Sequence, residues 1–268
     1  MEIDYQDKYT TNCFVAALDI MGFKTIVESE SPRNIYSIFS SIVSEIHYYF
    51  DKENTGMNIT AKIFSDSIFL ITKDGSSESF SSIVIAAAHF QNLLFKQGIA
   101  LNGTIAYGEV TCDSENDIFY GKAINDAHIL QEKLYCYCIA LDETANERRQ
   151  EIMNIQLPEC YKSFPDLIID CEIPLKCNKN KKAGAGDDQR ILSNQYFVNS
   201  CEKLVPFGVF EDQKDAFKQL LTEYYDSNKS KGDKVVQYIQ NTEIIYQNWF
   251  NFTSEHSACS GWGEQIIP

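Results

Sequence analysis

The stretch "CFVAALDIMGFKTIV", residues 13 to 27, decides the fold. Its first eight residues form an almost unbroken apolar run, too short to cross a membrane and of the length expected for a strand covered on both faces. The run closes on one carboxylate, Asp19, and a glycine turn at Gly22 follows directly. A carboxylate that ends a buried strand is costly unless a cation or a set of donors offsets its desolvation, so chemistry is expected at this strand end.

Outward from that strand the periodicity alternates. Ser31 and Pro32 read as the N-cap and first residue of a helix, and Ile35, Phe39, Ile42, Val43, Ile46 and Phe50 recur after them at helical spacing, which predicts a core-facing stripe. "MNITAKIF" and "SIFLIT" are strand-like and separated only by "SDS", which predicts a tight hairpin with Asp66 at its tip. "SFSSIVIAAAHFQNLLFKQG" is a second amphipathic helix, with Phe80, Ile83, Val84, Ala87, Phe90 and Leu94 on one face and Gly98 as its stop. The strand "IALNGTIAYGEV", the short strand "NDIFYG", the helix "KAINDAHILQEKL" and the strand "YCYCIALD" come next, the last placing Cys136 and Cys138 on one strand face. This order is the split strand-helix-strand arrangement of a ferredoxin-like core, an α+β fold, extended by a further helix-strand unit.

The character changes near Ile152, so residues 1–150 are expected to form the core and 151–268 an insertion, returning strands and a helical extension packed on it. The segment from Pro158 to Arg190 mixes prolines, lysines and a Gly/Ala run and reads as an insertion or long loop before "NQYFVN". Lys179, Lys181 and Lys182 could touch a phosphate there or be a solvated loop. Two helices close the chain; in the second, Val235, Ile239, Thr242, Ile245 and Trp249 predict a face packed on the core or on a partner subunit.

Composition narrows the function. The chain has 268 residues, 44% apolar, with a formal charge of -15, which suits a folded protein and repels nucleic-acid polymers, whose binding needs basic residues. Apolar stretches long enough to span a membrane and a basic-then-apolar leader are both missing from the sequence, and nine cysteines without a CxxC pair read as reduced thiols; cytoplasmic location is the expectation. The four histidines show no zinc spacing. A small anion could still be held by metal ions and backbone N–H groups.

Asp19 and Asp66 lie on elements that neighbour one another in a ferredoxin-like sheet, so their carboxylates are expected to converge and to bind Mg²⁺, with the carbonyl of Ile20 as a further oxygen ligand. The turn "MGFK", Met21 to Lys24, would then offer backbone N–H groups to a phosphate. The plainer alternative is a helix cap at Asp19 and an ordinary turn residue at Asp66.

In order, "LDIMGF", "KIFSDSIFL", "GTIAYGEV" and "FYGKAINDA" resemble the catalytic domain of class III nucleotidyl cyclases over roughly residues 12–145. Within that group "FSDS", "AYGE" and "YGKAINDA", with the helices ending in "YQNWF", look most like the pyrimidine cyclases of the Pycsar antiphage systems. The resemblance implies a metal-dependent lyase that converts UTP or CTP to the 3′,5′-cyclic monophosphate and pyrophosphate for a separate effector protein. Asp19, Ile20 and Asp66 would bind two Mg²⁺ or Mn²⁺ ions, Lys62 would read the base, Asn125 would orient the ribose, and Met21, Gly22, Phe23, Lys24 and Ser65 would line the substrate. A head-to-tail homodimer with an intersubunit site is implied, with no nucleic-acid polymer or membrane as partner. The alternatives are a catalytically silent nucleotide-binding dimer and a purine cyclase. Ile129 stands where many purine cyclases carry an arginine, Ile118 where adenylate cyclases carry the aspartate that reads adenine, beside Asp117, and Asn102 at a position often basic. Lys24, Arg33, Lys133 or a lysine of the later loop are left as candidates for the triphosphate.

Overall fold

The computed structural model describes residues 10–50, 59–113, 116–153, 168–177, 189–198, 202–204, 210–212, 219, 222–224, 226 and 232–245. Strand β1 (Thr10–Ile20) is followed by the short helix α1 (Phe23–Ser29), α2 (Pro32–Phe50), the hairpin β2 (Ile59–Phe64) and β3 (Ser67–Thr72), and α3 (Ser77–Lys96). Then come β4 (Leu101–Asp113), β5 (Ile118–Gly121), α4 (Lys122–Lys133), β6 (Ile139–Leu141) and α5 (Glu143–Met153). The strands β7 (Ile168–Cys177) and β8 (Gln189–Val198), a small pair β9 (Glu202–Leu204) and β10 (Phe210–Asp212), and a helix α6 over residues 233–245 complete the described chain.

One eight-stranded sheet, in the order β2-β3-β1-β4-β6-β8-β7 with β5 on β4, organises the molecule. Its first four strands have the ferredoxin-like order, with β1 antiparallel to both β3 and β4. β1 is central, which explains its continuous apolar run. Phe14, Ala16, Leu18 and Ile20 pack in one cluster with Ile83, Ala87 and Phe90 of α3. Cys13, Val15 and Ala17 pack on the other face with Ala123 and Ala127 of α4. Alternation along the strand puts Asp19 in the second row, at the end where the apolar cover stops.

The helix boundaries follow local chemistry. Ser76 accepts from the N–H of Ser79 at the start of α3, and Gly98, at φ 71°, ends it with its N–H on the carbonyl of Phe95. The expected stripe of α3 is buried throughout. The N-cap of α2 is also as read, with the N–H of Asn34 on Ser31 Oγ at 3.2 Å. Its stripe is at the edge of the core and not inside it: Ile35, Phe39 and Val43 are half-buried, Phe39 against the core cluster, because α2 packs on α3 and α1 and not on the sheet; Ile42, Ile46 and Phe50 have side chains outside the described residues.

Three further departures have physical causes. Residues Tyr135–Cys138 were expected to be strand, yet β6 starts only at Ile139. Their backbone is satisfied from elsewhere: Thr242 Oγ1 accepts from the N–H of Tyr137, Asn241 and Tyr238 donate to the carbonyls of Tyr135 and Leu134, and Gln91 donates to that of Tyr137. Cys136 and Cys138 are buried there as free thiols with Sγ atoms 3.3 Å apart. Second, part of the expected insertion is strand β7, interrupted in pattern by Pro174; as the last strand of the sheet it tolerates proline, whose carbonyl accepts from the N–H of Tyr135. Third, α5 was unforeseen because it is mostly polar; Asp142 caps it, accepting from the N–H of Ala145 at 2.8 Å.

α6 packs on the core, through Val235, Tyr238, Ile239 and Ile245. Trp249, His256 and the cluster Lys179, Lys181 and Lys182 lie outside the described residues. Among the described residues no helix is long and apolar enough to cross a membrane.

Candidate active site

Two carboxylates meet at the end of β1. Asp19 is paired across the sheet with Ser67 on β3, the residue after Asp66. The carbonyl of Asp66 accepts the N–H of Ile20 at 2.9 Å, which ties the hairpin tip to the strand end. The turn holding Asp66 is only two residues, with Ser65 at φ 57°, the left-handed region that serine adopts at some cost. Both carboxylates are half-buried. Burial first, and then the charge of Asp66, push the Asp19 carboxyl up to about 6, while Lys176 and His128 act in the opposite direction.

This donor set fits a hard divalent cation. Two oxygen-bearing anions are held together at a cost that a cation would relieve, and so few protein ligands leave positions for substrate oxygens. Among the described residues no group of three His, Cys, Asp or Glu side chains stands ready as a closed metal cage.

Four of the other residues expected at the site lie together in the turn after β1 and the start of α1. Met21 packs against the second apolar cluster, near Leu130, and its N–H is taken by the carbonyl of Ala100. Gly22 holds φ 74° at the N-cap of α1. Phe23 packs edge-on against Phe39, 5.9 Å between ring centroids, so its ring serves the core. Lys24 is exposed and lies 3.9 Å from Glu28. The first turn of α1 nevertheless leaves the N–H groups of Phe23 and Lys24 without acceptors inside the helix.

Asn125 is exposed in the first turns of α4, one turn before Ile129, which is 50% exposed. Lys62 lies on β2 and donates to Asp117 Oδ1 at 2.7 Å, with its ammonium 4.7 Å from the centre of the Phe119 ring. The β4–β5 hairpin delivers that carboxylate from Asp117, at φ 54°, and not from Ile118, which is exposed. The sequence marked Ile118 as the position that carries an aspartate in adenylate cyclases, with Asp117 beside it; which of the two neighbours reaches Lys62 depends on the turn before β5, which residue types do not reveal.

Two further features escaped the sequence reading. Lys176 on β7 donates to the carbonyl of Glu132 at 2.6 Å, lies 5.6 Å from the Tyr238 ring centre, and is within electrostatic reach of Asp19. It belongs to the segment read as a loop. Asn102, noted only for not being basic, faces Asp19 directly across the β1–β4 ladder and accepts at Oδ1 from Gln131 Nε2 of α4, 3.0 Å. Of the expected triphosphate contacts, Arg33 and Lys133 are exposed.

No family model matches the chain, and no curated protein matches it. In three dimensions it is similar to the adenylyl cyclase CyaB from P. aeruginosa, with TM-score 0.44 and 15% identity over 75% of this chain and 97% of that one. It is also similar to the catalytic core of a rhodopsin-guanylyl cyclase with converted specificity in complex with ATPalphaS, with TM-score 0.43 and 16% identity over 70% and 94%. A third similarity is to the guanylate cyclase domain of RhGC from Catenaria anguillulae in complex with GTP, TM-score 0.42 and 15% identity over 70% and 96%. At these scores and identities the likeness carries no conclusion about chemistry.

Proposed function

We propose that this protein is a nucleotidyl cyclase, converting a pyrimidine nucleoside triphosphate, UTP or CTP, to its 3′,5′-cyclic monophosphate and pyrophosphate. The observation that carries the reading is the convergence of Asp19 and Asp66 at one strand end, with the Asp19 carboxyl pushed up to about 6 by burial and by its neighbour. Asp19 and Asp66, with the carbonyl of Ile20, would hold Mg²⁺ or Mn²⁺, two ions per site, which supplies the acidified ribose 3′-hydroxyl and neutralised triphosphate that such a cyclisation needs.

The chain's own residues do the rest. Lys176, whose charge acts on Asp19 more strongly than that of His128, would offer positive charge to a triphosphate held there. The N–H groups of Phe23 and Lys24, left without acceptors inside the helix at the start of α1, would orient phosphate oxygens, Gly22 permitting the approach. Lys62 donates and Asp117 accepts at the base edge, and Asn125 steadies the ribose. Phe64 on β2, Ile118 and Tyr120 on β5 and Ile129 on α4 are large side chains left exposed on the elements that carry or flank Lys62, Asp66, Asp117 and Asn125, which supports a head-to-tail homodimer in which a second copy completes the site. The product would signal to a separate effector protein, the arrangement implied by the resemblance to antiphage pyrimidine cyclases.

Purified protein with Mn²⁺ and each of the four nucleoside triphosphates tests the assignment by pyrophosphate release. Turnover with UTP or CTP is expected. A purine cyclase is the second reading, because the Lys62 and Asp117 pair offers one donor and one acceptor, a combination that adenine and guanine edges also match; turnover with ATP or GTP alone would establish it. Binding without turnover of any nucleotide would make the protein a silent nucleotide sensor.

A further inference from the structure

Beside Asp19 stands a pair of buried amides to which the proposed reaction gives no task. Asn102 is the direct cross-strand partner of Asp19, so the two side chains leave the same face of the sheet with Cβ atoms about 5 Å apart. Asn102 is 1% exposed and Gln131 is also buried. The hydrogen bond between them runs from Gln131 Nε2 to Asn102 Oδ1. A side-chain amide has one acceptor oxygen and one donor nitrogen, and a carboxylate is an acceptor only. With its oxygen held by Gln131, Asn102 has its NH₂ left for other partners. Flipping both amides would keep their mutual hydrogen bond but set the Asn102 oxygen against the Asp19 carboxylate, so the neighbouring anion selects the observed arrangement, in which Gln131 holds the Asn102 oxygen. The same helix end anchors Lys176 through the carbonyl of Glu132, so α4 holds two of the groups around Asp19.

We propose that Asn102, oriented by Gln131, is a positioning residue for Asp19, its N–H groups steadying the carboxylate when a divalent cation is bound. The inference rests on the metal-binding reading of Asp19 and Asp66. A merely structural role, tying α4 to β4, would need only that the space be filled.

The double variant Asn102→Leu/Gln131→Met separates the two roles, since replacing both amides by apolar groups of similar size leaves no buried partner unpaired. Mn²⁺ binding to the nucleotide-free full chain is read by electron paramagnetic resonance, next to thermal unfolding, with Asp19→Asn as the control. The expected result is a double variant that unfolds near the wild-type temperature and binds Mn²⁺ about tenfold more weakly, the usual size of loss when a partner behind a metal ligand is removed. Asn102→Ala/Gln131→Leu removes the same donors, again leaving no buried amide unpaired, and gives the same reading should the first double variant be insoluble. Unchanged Mn²⁺ affinity in a folded variant overturns the positioning role and leaves the metal site standing. Undiminished Mn²⁺ binding by Asp19→Asn overturns the metal site and the positioning role together.

Discussion

Replacing Asp19 by asparagine should make the metal-free protein more stable at neutral pH and at the same time remove its capacity for divalent cations. The folded-state carboxyl is pushed up from 3.8 to about 6, by burial first and by Asp66 second. A raised carboxylate pKa means the native state holds its proton more tightly than the unfolded chain, so ionised Asp19 destabilises the fold. That cost is absent below pH 3.8, grows between there and about 6, and is complete above about 6. Two pK units correspond to about 3 kcal/mol. Asp19 keeps partial contact with solvent, which screens the charge, so about 1 kcal/mol is the expected gain from Asp19→Asn. In a chain of this length that raises the unfolding temperature by about 2–4 °C. Thermal unfolding of both proteins in the presence of a chelator, from about pH 7.5 down to about pH 4.5, measures it, and the advantage of the variant should shrink steadily as the pH falls. Mg²⁺ at a hundred times its dissociation constant should then stabilise the wild type by about 2.7 kcal/mol and leave the variant unmoved. A variant less stable than the wild type at neutral pH, or a difference that ignores pH, would refute the account of two crowded carboxylates.

The remaining expectations concern single side chains. Asp66→Ala should abolish product while gel filtration shows the same assembly as the wild type, because the half-buried carboxylate at the hairpin tip serves the site and not the core. Lys62→Ala should change stability by less than about 1 kcal/mol, since its ion pair with Asp117 is exposed, yet raise KM for the nucleotide about tenfold in steady-state assays; an unchanged KM would remove Lys62 from the base edge. Thr242→Val leaves the buried N–H of Tyr137 without its acceptor and should cost about 1–3 kcal/mol in urea titration. Gly121→Ala would bring a Cβ within 2.3 Å of the carbonyl oxygen of Glu109, a backbone atom that cannot swing aside, so a loss of about 3 kcal/mol or failure to fold is expected by the same measurement.

The order of elements through β6 and the central place of β1 could be read from the chain because burial on two faces writes an unbroken apolar run, and the helix α3 because its caps and stripe agree. Asp19 and Asp66 stood out for the same reason: charges at the edge of apolar runs are anomalies that local pattern exposes. The sequence by itself therefore determined the ferredoxin-like half of the sheet and the pair of carboxylates. What surrounds that pair was decided only in three dimensions. Lys176 acts on Asp19 from more than 150 residues away because β7 closes the sheet beside the end of α4, Asp117 reaches Lys62 through a hairpin turn of unusual backbone, and Asn102 is oriented by Gln131 from a different element. None of these contacts has a local signature, since each depends on which elements pack together and not on the spacing of residue types along one of them.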